Sequence, residues 1–150
     1  MTTIRDASPA DIDAVMSLED RCFSLPWPRS AVAAQIEGAG RMMLAAERGG
    51  AFAGYMGVQY VLDEGYITNV CTAPEHRRAG VASALLAEMR ARAERLGLSF
   101  LTLEVRESNA AARALYAKHG YIELGRRKSY YERPAEDAVI MTLYLKEAQP

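Results

Sequence analysis

The sequence predicts a single mixed α/β domain over residues 1–150, with its elements in the order β-α-α-β-β-β-α-β-α-β-β. Two observations predict this class. A chain of 150 residues that is 50% hydrophobic and 25% charged has the size of one domain with a buried core. Along the chain, the spacing of apolar residues changes between the period of a strand and that of a helix, without repeats or low-complexity linkers.

The first half of the chain is predicted to carry two helices between strands. A short strand around Ile4 leads to Ser8, a favoured helix cap, and to Pro9, which suits the first helical position. This helix continues toward Phe23, and a proline-containing turn separates it from the next helix. The remaining elements of this half are a helix over residues 31–36 and strands over residues 41–47, 52–62 and 66–72.

The second half begins with the most regular helix of the chain. Apolar residues recur every three or four positions over residues 81–96, and Gly97 ends the pattern. A shorter helix over residues 109–119 is predicted to be capped by Ser108 and closed by Gly120. The predicted strands of this half cover residues 100–106, 121–132 and 138–146.

Charge and composition exclude several classes of function. A net charge of −1 and a pI of about 6.1 argue against nonspecific nucleic-acid binding, which needs clustered Lys and Arg. No signal-peptide pattern and no run of about 18 apolar residues occurs, so we expect a cytoplasmic protein with no membrane partner. Cys22, Cys71, His76 and His119 do not have the spacing of a metal site, so we expect reduced thiols and no metal. The sequence predicts no particular oligomeric state.

A candidate anion-binding turn lies where the strand over residues 66–72 gives way to the long helix. The first turn of a helix has N–H groups without intrahelical partners, and the helix dipole adds about half a positive charge there. Gly80 would let a ligand approach the backbone, and Ala82 adds little bulk. An ordinary tight turn is the alternative. The P-loop and the dinucleotide-binding fingerprint are both excluded, because the required Gly-Lys-Ser/Thr ending and three spaced glycines are missing.

This turn, Arg-x-x-Gly-x-Ala in form, resembles the pyrophosphate loop of the GNAT superfamily of acetyl-coenzyme A-dependent N-acetyltransferases. The resemblance implies acetyl-coenzyme A (acetyl-CoA) as cosubstrate and a central mixed, mostly antiparallel sheet with helices on both faces. The residues that match the pyrophosphate contacts are Arg78, Ala79, Gly80, Val81, Ala82 and Ser83.

A second run of interest covers residues 103–116, where a strand again passes into a helix. Asn109 and Tyr116 are seven residues apart, almost two helical turns, so their side chains project from one face. Glu104 ends the preceding strand within reach of the same space. Taken singly, Tyr116 could pack against the sheet and Glu104 could be a solvated strand residue.

The run Leu-Glu-Val-Arg-x-Ser-Asn-x-x-Ala-x-x-Leu-Tyr resembles the signature of the RimI-type N-terminal acetyltransferases. The resemblance implies that Glu104 is the general base and Tyr116 the general acid. It also implies that Asn109 contacts the cofactor. Backbone N–H groups around three further residues would stabilise the oxyanion: Val70, Cys71 and Thr72. Cys71 itself is not expected to be a nucleophile, because no neighbouring His or Lys would activate it.

The same family acetylates the N-terminal alanine of the eighteenth protein of the small ribosomal subunit, so the resemblance implies a ribosomal-protein peptide as partner. Trp27 lies where the superfamily receives its acceptor, although it could also only fill the core. Tyr130 and Tyr131 alternate along a strand, so only one is expected to face the peptide. Glu136 and Asp137 are expected to add negative charge. Two other functions stay open: acetylation of a different amine, and a noncatalytic acyl-CoA-binding module.

Overall fold

The computed structural model describes residues 1–146 and contains one seven-stranded sheet in the order β1-β2-β3-β4-β5-β7-β6. All neighbouring strands are antiparallel except the parallel pair of β4 and β5. The strands are β1 (Thr2–Asp6), β2 (Arg41–Arg48), β3 (Ala51–Val61), β4 (Glu64–Thr72), β5 (Phe100–Arg106), β6 (Ile122–Tyr131) and β7 (Glu136–Tyr144). The predicted mixed, mostly antiparallel sheet is therefore confirmed.

Four α-helices complete the predicted element order. They are α1 (Ile12–Cys22), α2 (Arg29–Glu37), α3 (Val81–Arg95) and α4 (Ala110–Lys118), and short 3-10 turns cover Pro9–Asp11 and Pro74–His76. The first predicted helix thus starts with a 3-10 turn, which Ser8 and Pro9 introduce. In the described residues 1–146, no helix is long and apolar enough to span a bilayer.

The cap of α4 is Asn109, not the predicted Ser108. The Asn109 side chain accepts a hydrogen bond from the Ala112 backbone N–H at 3.1 Å. An N-cap oxygen must reach an N–H group two or three residues ahead, and Ser108 lies one residue too early to do so. The Ser108 backbone N–H instead donates to the Glu136 carboxylate.

Two clusters of buried apolar residues lie on opposite faces of the sheet. One packs α3 and α4 against the sheet and includes Leu85, Met89 and Tyr116. The other packs α1 and α2 against the opposite face and includes Val15 and Val32. Each large apolar side chain that is buried in this way contributes about 1.5–3 kcal/mol. Helices therefore cover both faces of the sheet, as expected.

The strands β4 and β5 separate soon after they begin. Their parallel register extends only from Glu64↔Phe100 to Tyr66↔Thr102. On the other side of β4, the register with β3 shifts between Gly57 and Val58, because β4 carries an extra residue there. A Cβ atom at Gly57 would lie 2.6 Å from the Asn69 and Thr68 side-chain oxygens, so a larger residue would have to displace them from this bulge. The separation opens a wedge between β4 and β5.

Candidate active site

Two adjoining cavities occupy the wedge between β4 and β5. The helix cavity, of about 750 Å³, lies at the start of α3, and the loop cavity, of about 660 Å³, lies between the α1–α2 turn and the β6–β7 turn. The residues that line both are Cys22, Phe23, Val70, Asn109 and Tyr116. The two cavities therefore form a continuous cleft, and Asn109 and Tyr116 share one face as predicted.

The helix cavity is lined by the first turn of α3. Gly80 precedes this turn with a φ of +80°, a left-handed conformation that favours glycine. The first intrahelical hydrogen bond runs from the Ala84 N–H to the Gly80 carbonyl at 3.0 Å. The N–H groups of the preceding first-turn residues have no intrahelical acceptor, which makes this end of α3 suitable for an anion. The predicted turn residues line the cavity, with the exception of Ala79: Arg78, Gly80, Val81, Ala82 and Ser83.

His119, at the C-terminal end of α4, contacts the first turn of α3. The Nε2 atom of His119 lies 3.1 Å from the Ser83 hydroxyl. Burial lowers the pKa of His119, and the nearby cations Lys118 and Arg90 lower it further. The ring is therefore neutral at neutral pH, and it holds the Ser83 side chain in place.

The edge of β4 supplies unpaired backbone groups to the helix cavity. Val70, Cys71 and Thr72 all line it, as predicted. In the described part of the chain, the register with β5 ends at Tyr66, so the β4 backbone groups that point away from β3 lack ladder partners beyond that residue. Fixed N–H donors of this kind can stabilise negative charge that develops on a nearby oxygen.

Glu104 and Tyr116 both border the loop cavity. Glu104 is near the end of β5, and its carboxylate lies 3.4 Å from the Arg127 guanidinium. Tyr116 is only 8% exposed, and burial raises the pKa of its hydroxyl to about 12. The sequence left open whether Tyr116 packs in the core or faces the site. Tyr116 does both, because it belongs to the core cluster and also borders each of the two cavities.

Cys71 has the environment of an inert thiol. Burial raises its pKa to about 12, and the neighbouring Cys22 thiol adds to this shift. A thiol with this pKa is protonated at neutral pH and is a poor nucleophile. The geometry therefore agrees with the expectation that Cys71 does not form a covalent intermediate.

The loop cavity is bordered by all three predicted aromatic residues: Trp27, Tyr130 and Tyr131. A regular strand would let only one of the two tyrosines border the cavity, but both do. Strand alternation fails because Ser129 has a φ of +52° and the register with β7 is interrupted between Arg127 and Tyr131. The two tyrosine rings pack edge to face with centroids 5.0 Å apart, and the Arg106 guanidinium lies 4.4 Å from the Tyr131 ring centroid.

Glu136 and Asp137 do not line the loop cavity. The Glu136 carboxylate accepts from the Ser108 N–H at 2.5 Å and pairs with Arg106 at 3.3 Å. Asp137 accepts from the Ser129 N–H at 2.8 Å. Both carboxylates therefore brace the strand ends around the site. The carboxylates that do border the cavity are Glu19, Glu104 and Glu132.

Sequence reasoning missed the role of Glu19 at this cavity. Glu19 lies on the buried, otherwise apolar face of α1 and is only 2% exposed, although its side chain is a carboxylate. The available signal was its position, one residue after Leu18 and four after Val15, where a helix of this type is normally apolar. A carboxylate at a core-facing position indicates a buried polar network.

Comparison with known proteins defines the class to which this fold and site belong. The acetyltransferase (GNAT) family model matches residues 12–121, and the chain belongs to this family. It is therefore an acetyl-CoA-dependent N-acetyltransferase.

Several relatives are similar to this protein over nearly the whole chain. Ribosomal protein bS18-alanine N-acetyltransferase of Escherichia coli K12 is 35% identical over 145 residues, which cover 95% of this chain and 97% of the relative. The enzyme of the same description from Haemophilus influenzae is 31% identical over 148 residues, covering 97% of this chain and 100% of the relative.

Solved structures agree with these relationships. The crystal structure of the Escherichia coli ribosomal-protein-S18-alanine N-acetyltransferase superposes with a TM-score of 0.91 at 34% identity, covering 99% of this chain and 97% of that one. YncA from Salmonella typhimurium, solved with its cofactor acetyl-CoA, superposes with a TM-score of 0.86 at 21% identity, covering 100% of this chain and 97% of that one. The second match supports the fold alone.

Proposed function

We propose that this enzyme transfers the acetyl group of acetyl-CoA to the α-amine of the N-terminal alanine of ribosomal protein bS18. The observation that carries the proposal is that a carboxylate, Glu104, and a protonated phenol, Tyr116, border the same cavity, and that Tyr116 also borders the adjoining cavity at the start of α3. The bS18-directed relatives, which are similar over nearly the full chain, support this acceptor. A ribosomal protein as substrate also supports a cytoplasmic location.

The helix cavity has the chemistry to hold the acetyl-CoA pyrophosphate. A Cβ atom at Gly80 would meet nothing within 4 Å, so the backbone there is open to a ligand. We assign phosphate contacts to the N–H groups and side chains of Arg78 and of Gly80 to Ser83, the predicted turn residues that line the cavity. Asn109 uses its side-chain oxygen as the cap of α4, which leaves its amide NH₂ group to donate to the cofactor. Acetyl-CoA supplies the activated acetyl thioester to this site.

Glu104 prepares the acceptor for reaction. An α-amine has a pKa of about 8, so most of it is protonated at neutral pH and cannot attack. We assign proton removal to the Glu104 carboxylate, acting directly or through one water. The Arg127 side chain that pairs with this carboxylate is 58% exposed, so it can move aside when an ammonium group approaches.

Attack by the amine creates negative charge first on the carbonyl oxygen and then on the departing sulfur, and we assign its stabilisation to backbone N–H groups and to Tyr116. The N–H donors around Val70, Cys71 and Thr72 stabilise the negative charge that develops on the carbonyl oxygen, an effect usually worth about 3 kcal/mol. As the carbon–sulfur bond breaks, Tyr116 donates its proton to the departing sulfur, and the proton lost by the newly acylated nitrogen returns the phenolate to its neutral form. Its raised pKa, about 12, keeps the hydroxyl protonated and available at neutral pH.

The loop cavity is the proposed path of the peptide. Trp27 and the tyrosine pair form two apolar walls, and Glu132 and Glu104 add negative charge that suits an ammonium group. Glu136 and Asp137, engaged in local hydrogen bonds, would act on the peptide only through the shape of the β6–β7 turn. These features suit a narrow chain end and favour an N-terminus over a bulky small-molecule acceptor.

The test is acetylation of matched peptides, followed by intact mass. The protein and acetyl-CoA are incubated with an Ala-starting peptide of the bS18 N-terminus, and with the same peptide blocked at its α-amine but free at its lysines. We expect one acetyl group on the first peptide and none on the second. Equal acetylation of the blocked peptide would instead assign lysine as the acceptor, and acetylation of neither would favour a different amine or a noncatalytic acyl-CoA-binding module.

A further inference from the structure

Glu19 is a carboxylate buried almost completely in α1 at the edge of the loop cavity. Burial of a carboxylate is costly unless hydrogen bonds replace its hydration. A purely structural position on this helix face would be served better by Leu or Met, because the surrounding cluster is apolar. The polar group at this position therefore needs a specific explanation.

Three donors from three different elements converge on Glu19. The Trp27 backbone N–H, in the α1–α2 turn, donates to Oε1 at 2.8 Å. The Asn69 amide, on β4, donates to Oε2 at 3.4 Å, and the Tyr55 hydroxyl, on β3, donates to the same oxygen. Asn69 also accepts from the Thr68 hydroxyl at 2.9 Å, at the bulge that opens the wedge. One carboxylate thus ties the turn to the diverging strand.

The turn depends on this carboxylate for its position. Pro26 and Pro28 flank Trp27 and have no backbone N–H, so the Trp27 N–H is the donor available to fix this segment. Trp27, Asn69 and Thr68 all border the loop cavity. A shift of the turn would therefore change the width of the cavity between Trp27 and the tyrosine pair.

We propose that Glu19 is a positioning residue, which sets the distance between the α1–α2 turn and β4 and thereby the fit of the acceptor peptide. It acts through Trp27 and Asn69 and has no direct part in proton transfer. The proposal rests on the proposed function, because it takes the loop cavity as the acceptor site. It assigns Glu19 to peptide affinity and leaves acetyl-CoA binding to the helix cavity.

Glu19→Gln tests the proposal with little change in volume. A Gln side chain has one oxygen, so it cannot accept from the Trp27 side and the Asn69 side together. We expect the peptide KM to rise about tenfold or more, as for loss of a hydrogen bond to a buried charge, with a smaller change in kcat. The increase in melting temperature on adding acetyl-CoA should be unchanged.

Tyr55→Phe is the matched control. Tyr55 is fully buried, borders neither cavity and contacts the same carboxylate, but its loss leaves the Glu19–Trp27 bond in place. We expect this variant to lose stability while its peptide KM stays within about twofold of wild type. An unchanged peptide KM in Glu19→Gln, or an equal rise in both variants, would overturn the proposal.

The single tryptophan provides a second test that needs no turnover. Trp27 fluorescence in the free Glu19→Gln protein should be more easily quenched by acrylamide than in wild type or Tyr55→Phe, and equal quenching would contradict the proposal. This comparison stands even if the bS18 peptide is not acetylated, a result that would reject only the proposed function. If Glu19→Gln does not fold, wild-type emission is titrated with unacetylated peptide and coenzyme A. The proposal expects a change on saturation and fails without one.

Discussion

At the scale of single residues, burial keeps the Tyr116 hydroxyl in its protonated form. The ring fills the core beside Tyr121, with centroids 5.8 Å apart, while its edge borders both cavities. Removal from water disfavours the phenolate, so the pKa of Tyr116 rises to about 12. A raised pKa means that the hydroxyl is protonated at every pH below this value. We therefore expect no loss of activity from Tyr116 ionisation below about pH 10.

Tyr116→Phe should slow acetyl transfer by about two orders of magnitude or more, since the proton donor is lost and the ring is kept. The control is Tyr121→Phe. The Tyr121 hydroxyl is buried without a hydrogen-bond partner in the described residues and borders neither cavity. Its removal should leave kcat unchanged and stability equal or higher. Steady-state rates and thermal melts measure both effects, and equal rates for the two variants would remove Tyr116 from the mechanism.

At the scale of elements, the start of α3 is the proposed binding site of the acetyl-CoA pyrophosphate. Gly80 has left-handed backbone geometry, and open space lies where its side chain would be. Gly97, two residues after the end of α3, has a φ of +76° and the same open surroundings but lies away from both cavities. The two glycines thus have similar conformations and different neighbours.

Gly80→Val and Gly97→Val separate backbone strain from ligand obstruction. Both should lose about 1–2 kcal/mol of unfolding free energy, because a β-branched residue is strained at positive φ. Only Gly80→Val should also lose most of the increase in melting temperature that acetyl-CoA produces. Thermal melts with and without acetyl-CoA measure this. A normal increase in Gly80→Val would show that the pyrophosphate does not bind at this turn.

The elements themselves were largely predictable, because hydrophobic period and Gly and Pro positions determine where helices and strands form. The hydrogen bonds that individual polar side chains form were not predictable from the sequence. The cap is Asn109 and not Ser108, because the helix begins one residue later than predicted and the Asn109 oxygen is the one that reaches the Ala112 N–H. The sequence also did not show that Tyr130 and Tyr131 border the same cavity. A positive φ at Ser129 interrupts the alternation of side chains along β6. Glu19 was missed because its partners come together only in the folded sheet.

At the scale of the whole molecule, a short parallel seam between β4 and β5 joins two antiparallel parts of the sheet. The candidate site lies where β4 and β5 separate. The pairing of these two strands therefore both holds the sheet together and determines where the cleft opens. Away from the seam, charge pairs secure the N-terminal edge. Asp11 is 7% exposed and receives two hydrogen bonds from Arg5, at 2.8 Å each, and one from the Ser8 N–H at 2.8 Å.

The Arg5 guanidinium, with help from the Ser8 N–H, holds the pKa of Asp11 below its ordinary value of about 4. A lowered folded-state pKa means that this stabilisation is complete above about pH 4 and is lost as the pH falls below it. Asp11→Asn should therefore lose about 1–3 kcal/mol at neutral pH. The difference in unfolding free energy between wild type and Asp11→Asn should become smaller below about pH 4, where Asp11 becomes protonated. Urea unfolding at several pH values measures this, and a loss that is the same at pH 7 and pH 2 would refute the assignment.

The central claim is that Glu104 removes a proton from an α-ammonium group in the loop cavity. The most direct test is the pH dependence of transfer to the Ala-starting bS18 peptide by wild type and by Glu104→Gln, with acetyl-CoA binding checked by thermal melts. The account predicts a deficit of about two to four orders of magnitude at pH 7 that narrows above pH 8, where the amine is already neutral. Near-normal turnover at pH 7, or a deficit that stays constant up to pH 10, would contradict it.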